Sequence, residues 1–133
     1  MGRVLVAEDD VEMRALVVQA LRKDGHDVVE ASDGGRLLVR IAEAFGRDPS
    51  LAEVDVVVSD VRMPVCSGLE LVERLFEARW NVAFILMTAF SDDDIRRRAH
   101  SAGALLLDKP LRLDDLRAAV SDLMRRALAR SQP

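Results

Sequence analysis

Val54-Asp55-Val56-Val57-Val58-Ser59 is the stretch that decides the fold, and Asp60 ends it. A strand with one wet face alternates apolar and polar residues. A near-continuous run of valine instead reads as a parallel strand covered on both faces. Parallel neighbours cannot be joined by tight turns; they need crossover helices on either side of the strand.

Both flanks supply them. Upstream, Val4-Leu5-Val6-Ala7 reads as a first strand. Met13, Leu16, Val17, Ala20 and Leu21 then recur at helical spacing, up to a stop at Gly25. Val28-Val29-Glu30-Ala31 is a shorter second strand. Asp33 caps a second helix with Leu37, Leu38, Ile41 and Phe45 inward, and Gly46 to Ala52, with Pro49, forms a loop. Downstream, Ser67-Gly68-Leu69-Glu70 is a capping box opening a third helix that turns Leu69, Val72, Leu75 and Phe76 inward. Val82 to Met87 is a fourth strand. Ser91 to Asp94 resembles another capping box, opening a helix with only Ile95, Ala99 and Ala102 on its apolar side, the least firmly packed of the set. Ala104 to Leu107 is a fifth strand. Asp114 and Asp115 suit the start of a last helix, with Leu116, Val120, Leu123 and Ala127 inward. Five successive βα units predict an α/β fold, a doubly wound five-stranded parallel sheet with helices on both faces. One domain is expected over residues 1–130, with 131–133 as a tail. Arg125 to Pro133 reads as a fraying helix end or the start of something removed.

Bulk properties narrow the function. The 133 residues suit one core, and 50% hydrophobic with 32% charged residues is an ordinary soluble balance. A net charge of -4 and the absence of tyrosine argue against nucleic-acid binding. The single cysteine, Cys66, cannot form an internal disulfide, which fits a cytoplasmic, reducing setting. The longest apolar stretch, Val82 to Phe90, is too short to span a bilayer, and no signal pattern opens the chain. Met1-Gly2 invites a lipid anchor, but Val6 stands where that motif needs serine or threonine.

In open α/β sheets, sites form at the carboxyl ends of strands. Glu8, Asp9 and Asp10 follow strand one, Asp60 ends strand three, Thr88-Ala89 ends strand four, and Asp108-Lys109-Pro110 follows strand five. If strands one and three are neighbours, Glu8, Asp9 and Asp60 converge. Three such carboxylates repel one another, and a hard divalent cation such as Mg²⁺ relieves the repulsion. Acids in place of a glycine-rich loop after strand one exclude phosphate unless a metal is present. Lys109 adds a mobile positive charge and Thr88 a hydroxyl donor. Lys109 stands out because Lys23 is the only other lysine. Together with Mg²⁺ these are the parts that stabilise a phosphoryl group in transfer, and a carboxylate nucleophile gives an acyl phosphate. Asp10 is better read as the cap of the first helix.

Six segments in order resemble the receiver domains of two-component response regulators over nearly the whole chain. They are Val4 to Asp10, Val58-Ser59-Asp60-Val61-Arg62-Met63-Pro64, Ser67-Gly68-Leu69-Glu70-Leu71, Met87-Thr88-Ala89, Ala102-Gly103-Ala104 and Lys109-Pro110. The resemblance implies a flavodoxin-like fold with strand order 2-1-3-4-5. It implies a cytoplasmic, non-enzymatic switch that takes a phosphoryl group onto Asp60 from a histidine kinase or phosphotransfer protein. Asp9 and Asp60 would bind Mg²⁺ directly, with the Arg62 carbonyl as third protein ligand and Glu8 acting through water. Thr88 and Lys109 would contact the phosphoryl oxygens, aided by the Ala89 N–H. A face of helix four, strand five and helix five would meet an output partner or a second copy. Two departures touch the switch. Leu106 stands where the family carries an aromatic, and Ala104 to Lys109 is one residue short of the usual length. The helix-four region is then expected to respond through Thr88 alone.

Other readings compete. An aspartate-nucleophile phosphohydrolase needs a second acid two residues after the nucleophile, where Arg62 stands. A phosphorylation-independent interaction domain fits Leu106 but not the complete set of Asp9, Asp60, Thr88 and Lys109. His26 and His100 read as surface histidines, Cys66 as a loop thiol, and Arg96-Arg97-Arg98 as a solvated helical face. Arg62 and Phe90 flank the mouth of the site.

Overall fold

The computed structural model describes residues 2–45, 54–80 and 82–130. It alternates β1 (Arg3–Ala7), α1 (Val11–Lys23), β2 (Asp27–Ala31), α2 (Gly34–Phe45), β3 (Val56–Asp60), α3 (Gly68–Glu77), β4 (Ala83–Thr88), α4 (Asp93–Ser101), β5 (Leu105–Asp108) and α5 (Leu113–Arg130). All neighbouring strands pair in parallel, in the order β2-β1-β3-β4-β5. β3 is buried along its whole length, as its valine run requires.

The side-chain alternation of each strand divides the core in two. Leu5, Ala7, Val57 and Leu86 point to one face, where Leu37 and Ile41 of α2, Leu69, Val72 and Leu75 of α3, and Ile95 and Ala99 of α4 cover them. Val4, Val6, Val56, Val58, Ile85 and Met87 point to the other, under Val17, Val18 and Leu21 of α1 and Leu116, Val120 and Met124 of α5. β1 and β3 are therefore central and buried on both sides, and their carboxyl ends lie side by side.

Caps hold the helices as read, with one change. Asp10 Oδ1 accepts from the Met13 N–H at 3.1 Å, and Asp33 Oδ1 from the Arg36 N–H at 2.8 Å. Ser67 Oγ accepts from the Glu70 N–H at 3.4 Å. For α4 the cap is Asp92, not Ser91: Asp92 Oδ1 accepts from the Ile95 N–H at 2.8 Å, while Ser91 Oγ accepts from Arg96. A carboxylate is the better acceptor at a helix N-terminus. α1 and α4 both end through a glycine of positive φ, Gly25 at 90° and Gly103 at 72°.

Three residues expected inward are not. Leu16, Leu38 and Phe76 are 51%, 40% and 56% exposed. Apolar spacing admitted two adjacent faces on each helix. The sheet selected the face carrying Val17, Val18 and Leu21 on α1 and the face carrying Leu69, Leu71, Val72 and Leu75 on α3. α5 continues as helix to Arg130 rather than fraying from Arg125. The side chain of Phe45, the loop from Gly46 with Pro49, and the tail 131–133 lie outside the described residues.

Candidate functional site

The carboxyl ends of β1 and β3 bring the acids together. Glu8, Asp9 and Asp60 each place a carboxylate oxygen within 4.8 Å of the others. Their settings differ. Glu8 is fully buried, Asp60 is nearly so, and Asp9 is exposed at the mouth.

Lys109 reaches in from the end of β5. Its Nζ donates to Glu8 Oε1 at 2.6 Å and to Asp60 Oδ2 at 2.9 Å. The loop that delivers it is fixed by the Lys109 N–H donating to the Thr88 carbonyl at 2.7 Å, and the Lys109–Pro110 peptide is cis. One ammonium faces three carboxylates, so the cluster keeps an excess of negative charge. Burial, and then the neighbouring Asp60, push the Glu8 carboxyl up to about 7 against the pull of Lys109. Burial alone would lower the lysine, but the hydrogen bonds it donates to Glu8 and Asp60 outweigh it and hold its pKa raised. Glu8 Oε2 is buried with no hydrogen-bond partner. A buried acceptor left unpaired is costly, and a cation or its hydration shell would satisfy it.

Thr88 and Ala89 stand at the end of β4, next to Asp60 through the β3–β4 register. The Thr88 hydroxyl is turned to the following loop: Oγ1 accepts from the Phe90 N–H and donates to the Phe90 carbonyl, both at 3.2 Å. Ala89 is exposed. Arg62 lies in the β3–α3 loop with an exposed side chain, its N–H 3.4 Å from Asp60 Oδ1.

Spacing alone did not show how this loop is braced. Gly68 opens α3 directly beneath the carboxyl end of β3. A Cβ there would collide with the Asp60 carbonyl and sit 2.6 Å from Ser59 Oγ. Ser67 Oγ also donates to the Val61 carbonyl at 2.9 Å, and the Gly68 N–H donates to it at 3.0 Å. The Gly34 N–H donates to the Pro64 carbonyl at 3.1 Å, tying α2 to the same loop. Within it Val65 takes a φ of 78°, rare for a β-branched residue. A second unanticipated residue is Arg14, whose Nη1 donates to the Glu8 carbonyl at 2.8 Å. A cation in a first helical turn runs against the helix dipole, the one signal that could have singled it out.

Other expectations resolve separately. His26 is half-buried, not a surface residue, and its Nδ1 is buried without a hydrogen-bond partner. His100 is exposed, and Cys66 is a half-buried free thiol. Arg96 and Arg97 form exposed pairs within α4, but Arg98 crosses to α3 and grips both carboxylate oxygens of Glu73.

The model of the response regulator receiver domain matches residues 4–121. The chain belongs to this family. Receiver domains are generally non-catalytic signalling modules that accept a phosphoryl group from histidine kinases or phosphotransfer proteins and bind Mg²⁺ in an acidic pocket. The transcriptional regulatory protein PdtaR of Mycobacterium tuberculosis is 34% identical, over 89% of this chain and 54% of its own length. The sporulation initiation phosphotransferase F of Bacillus subtilis is 26% identical, over 89% of this chain and 90% of its own. Among solved structures, a Francisella response regulator 1452 receiver domain matches at a TM-score of 0.81 and 27% identity, covering 95% of this chain and 98% of that one. This receiver domain spans about half the length of PdtaR. Among the described residues no helix is long and apolar enough to cross a membrane.

Proposed function

We propose that Asp60 is the phosphoacceptor of this receiver domain and that Mg²⁺ is its cofactor. The observation that carries the reading is the orphaned, buried Glu8 Oε2 inside a cluster of three carboxylates that Lys109 alone does not neutralise. Asp9 and Asp60 would hold the ion directly, with the Arg62 carbonyl, and Glu8 through water. When bound, the ion supplies positive charge that offsets the acids and the phosphoryl oxygens.

The residues of the chain do the rest. A carboxylate oxygen of Asp60 attacks the phosphorus of a phosphohistidine. The new P–O bond forms as the P–N bond breaks, and its electron pair leaves with the imidazole nitrogen, which is then protonated. Lys109 already holds Asp60 Oδ2 and orients the carboxylate for attack. Its ammonium is placed to stabilise the charge on the transferred group. The Thr88 hydroxyl and the Ala89 N–H serve as donors to the phosphoryl oxygens.

Switching follows from Thr88. To face a phosphoryl group its hydroxyl must release both backbone bonds to Phe90, freeing the loop that leads into α4. Leu106, half-buried against the α2–α4 side of the core, has no ring to swing. We assign output, or pairing with a second copy, to the α4–β5–α5 face, where Leu105 on the edge strand is 42% exposed. Cytoplasmic location belongs to the same reading, as does the absence of a contact with nucleic acid or membrane.

The test is incubation with acetyl phosphate and Mg²⁺ followed by intact mass. One phosphoryl adduct is expected, absent without Mg²⁺ and absent in Asp60→Asn. An unmodified wild type under those conditions overturns the reading. A phosphoryl mimic that leaves the amide resonances of α4 unmoved overturns the Thr88 switch alone.

A further inference from the structure

Glu8 and Asp9 share one peptide unit, and the orientation of that unit sets where both carboxylates point. Its carbonyl, that of Glu8, accepts from Arg14 Nη1 at 2.8 Å. The Glu8 N–H on the other side donates to the Ala31 carbonyl of β2 at 3.2 Å. The main chain of Glu8 is thus held at both ends, while its side chain is fully buried. Arg14 is itself constrained. Its backbone N–H bonds the Asp10 carbonyl at 2.9 Å, its Nε lies 3.4 Å from Glu30 Oε1 on β2, and its side chain is only 17% exposed. Glu30 is also 3.8 Å from Arg22 Nη2, which anchors the acid from below.

We infer that Arg14 is a positioning residue for the cation site, fixing the Glu8–Asp9 peptide so that both carboxylates converge with Asp60. A guanidinium suits this place because its planar fork engages a carbonyl with one nitrogen and a carboxylate with another, in fixed relative geometry. Without it the carbonyl after β1 loses its donor and the peptide is free to rotate. The ligands then pay an ordering cost when the cation binds. Arg14 touches neither the cation nor the phosphoryl group.

The inference rests on the reading of the acidic cluster as a Mg²⁺ site, and calorimetric titration of the whole chain with MgCl₂ separates the two. Outer-shell partners of metal ligands are commonly worth tenfold or more in affinity. Arg14→Gln is expected to weaken Mg²⁺ binding about tenfold. Arg14→Lys, which reaches the carbonyl but cannot also engage Glu30, should fall between wild type and Arg14→Gln. Glu30→Gln should weaken binding in the same direction by less. Thermal unfolding without Mg²⁺ reports the purely structural share. A lowered melting temperature with an unchanged Kd in Arg14→Gln overturns the inference while leaving the Mg²⁺ site standing. If Arg14→Gln does not fold, an unchanged Kd in Glu30→Gln overturns it equally. A wild type that binds no Mg²⁺ overturns the site reading and this inference together.

Discussion

On the proposed reading of the acidic cluster as a Mg²⁺ site, Glu8 makes cation binding weaken as the pH falls. Its carboxyl is raised from an ordinary 4.5 to about 7, first by burial and then by Asp60. A cation binds the ionised form, so protons and Mg²⁺ compete for it. With a pKa near 7, about a tenth of Glu8 is ionised at pH 6 and about nine-tenths at pH 8. The apparent Kd for Mg²⁺ should therefore fall by roughly tenfold between those pH values. Folding moves the other way. The folded-state pKa lies above the unfolded one, so the stability due to this group is complete below 4.5 and is lost as the pH rises through 7. The same rise in pKa corresponds to roughly 3 kcal/mol of metal-free stability lost by pH 8. Glu8→Gln keeps the shape, offers Lys109 an amide oxygen and removes the titration. It should bind Mg²⁺ more weakly, show a much flatter pH profile, and melt higher than wild type at pH 8 without metal. Calorimetric titration at pH 6, 7 and 8, with thermal melts in chelator, provides the measurement. A flat wild-type profile, or the same slope in Glu8→Gln, would show that the titrating group lies elsewhere.

Three further outcomes are expected. Gly68→Ala puts a methyl against the Asp60 carbonyl and 2.6 Å from Ser59 Oγ. It should cost about 1–3 kcal/mol by denaturant titration and slow acetyl phosphate labelling more than it weakens Mg²⁺ binding, and unaltered stability would contradict the packing of α3 under β3. Val65→Asn relieves a β-branched residue at φ 78° that is 83% exposed. A gain of about 1 kcal/mol in unfolding free energy is expected, and a loss would mean that Val65 packing outweighs the strain. Glu73→Gln removes the acid that Arg98 holds across α3 and α4. Because both partners are about a third exposed, the loss should stay below about 1 kcal/mol, visible as faster amide exchange confined to α4.

The fold was legible because its signal is one-dimensional. Burial on both faces writes itself into consecutive valines at Val56, Val57 and Val58, and strand ends write themselves into the acids that follow. Val4–Ala7 and Val28–Ala31 carried the same information about the strands themselves. Strand order, and with it the meeting of Glu8, Asp9 and Asp60, followed from the resemblance to receiver domains and not from the apolar runs. Phe76 and Leu38 could not. Each lies within an apolar stripe wide enough to admit two rotations, and only the surface beneath decides between them. Asp92 replaced Ser91 as cap because two adjacent good acceptors compete and the sequence does not say where the chain turns.

The supports of the site were hidden for a different reason. The roles proposed for Asp60, Thr88 and Lys109 run through side-chain chemistry, which a sequence states outright. Arg14, Gly68 and Phe90 work through backbone groups, their own or a neighbour's, and backbone groups are identical at every position. Arg14 holds the Glu8 carbonyl, Gly68 leaves room for the Asp60 carbonyl, and Phe90 lends both its N–H and its carbonyl to Thr88. The consequence for the switch is concrete. In the proposed switch a leucine at 106 removes one side-chain reporter, but the link from Thr88 to the loop before α4 would run through the Phe90 main chain and survive any side chain at 90 that preserves that turn. Phe90→Ala should therefore leave the α4 response to a phosphoryl mimic intact, whereas Thr88→Val, which keeps the shape and deletes the hydroxyl, should abolish it. An α4 response that follows Phe90 and ignores Thr88 would place the coupling in the ring rather than in the two hydrogen bonds.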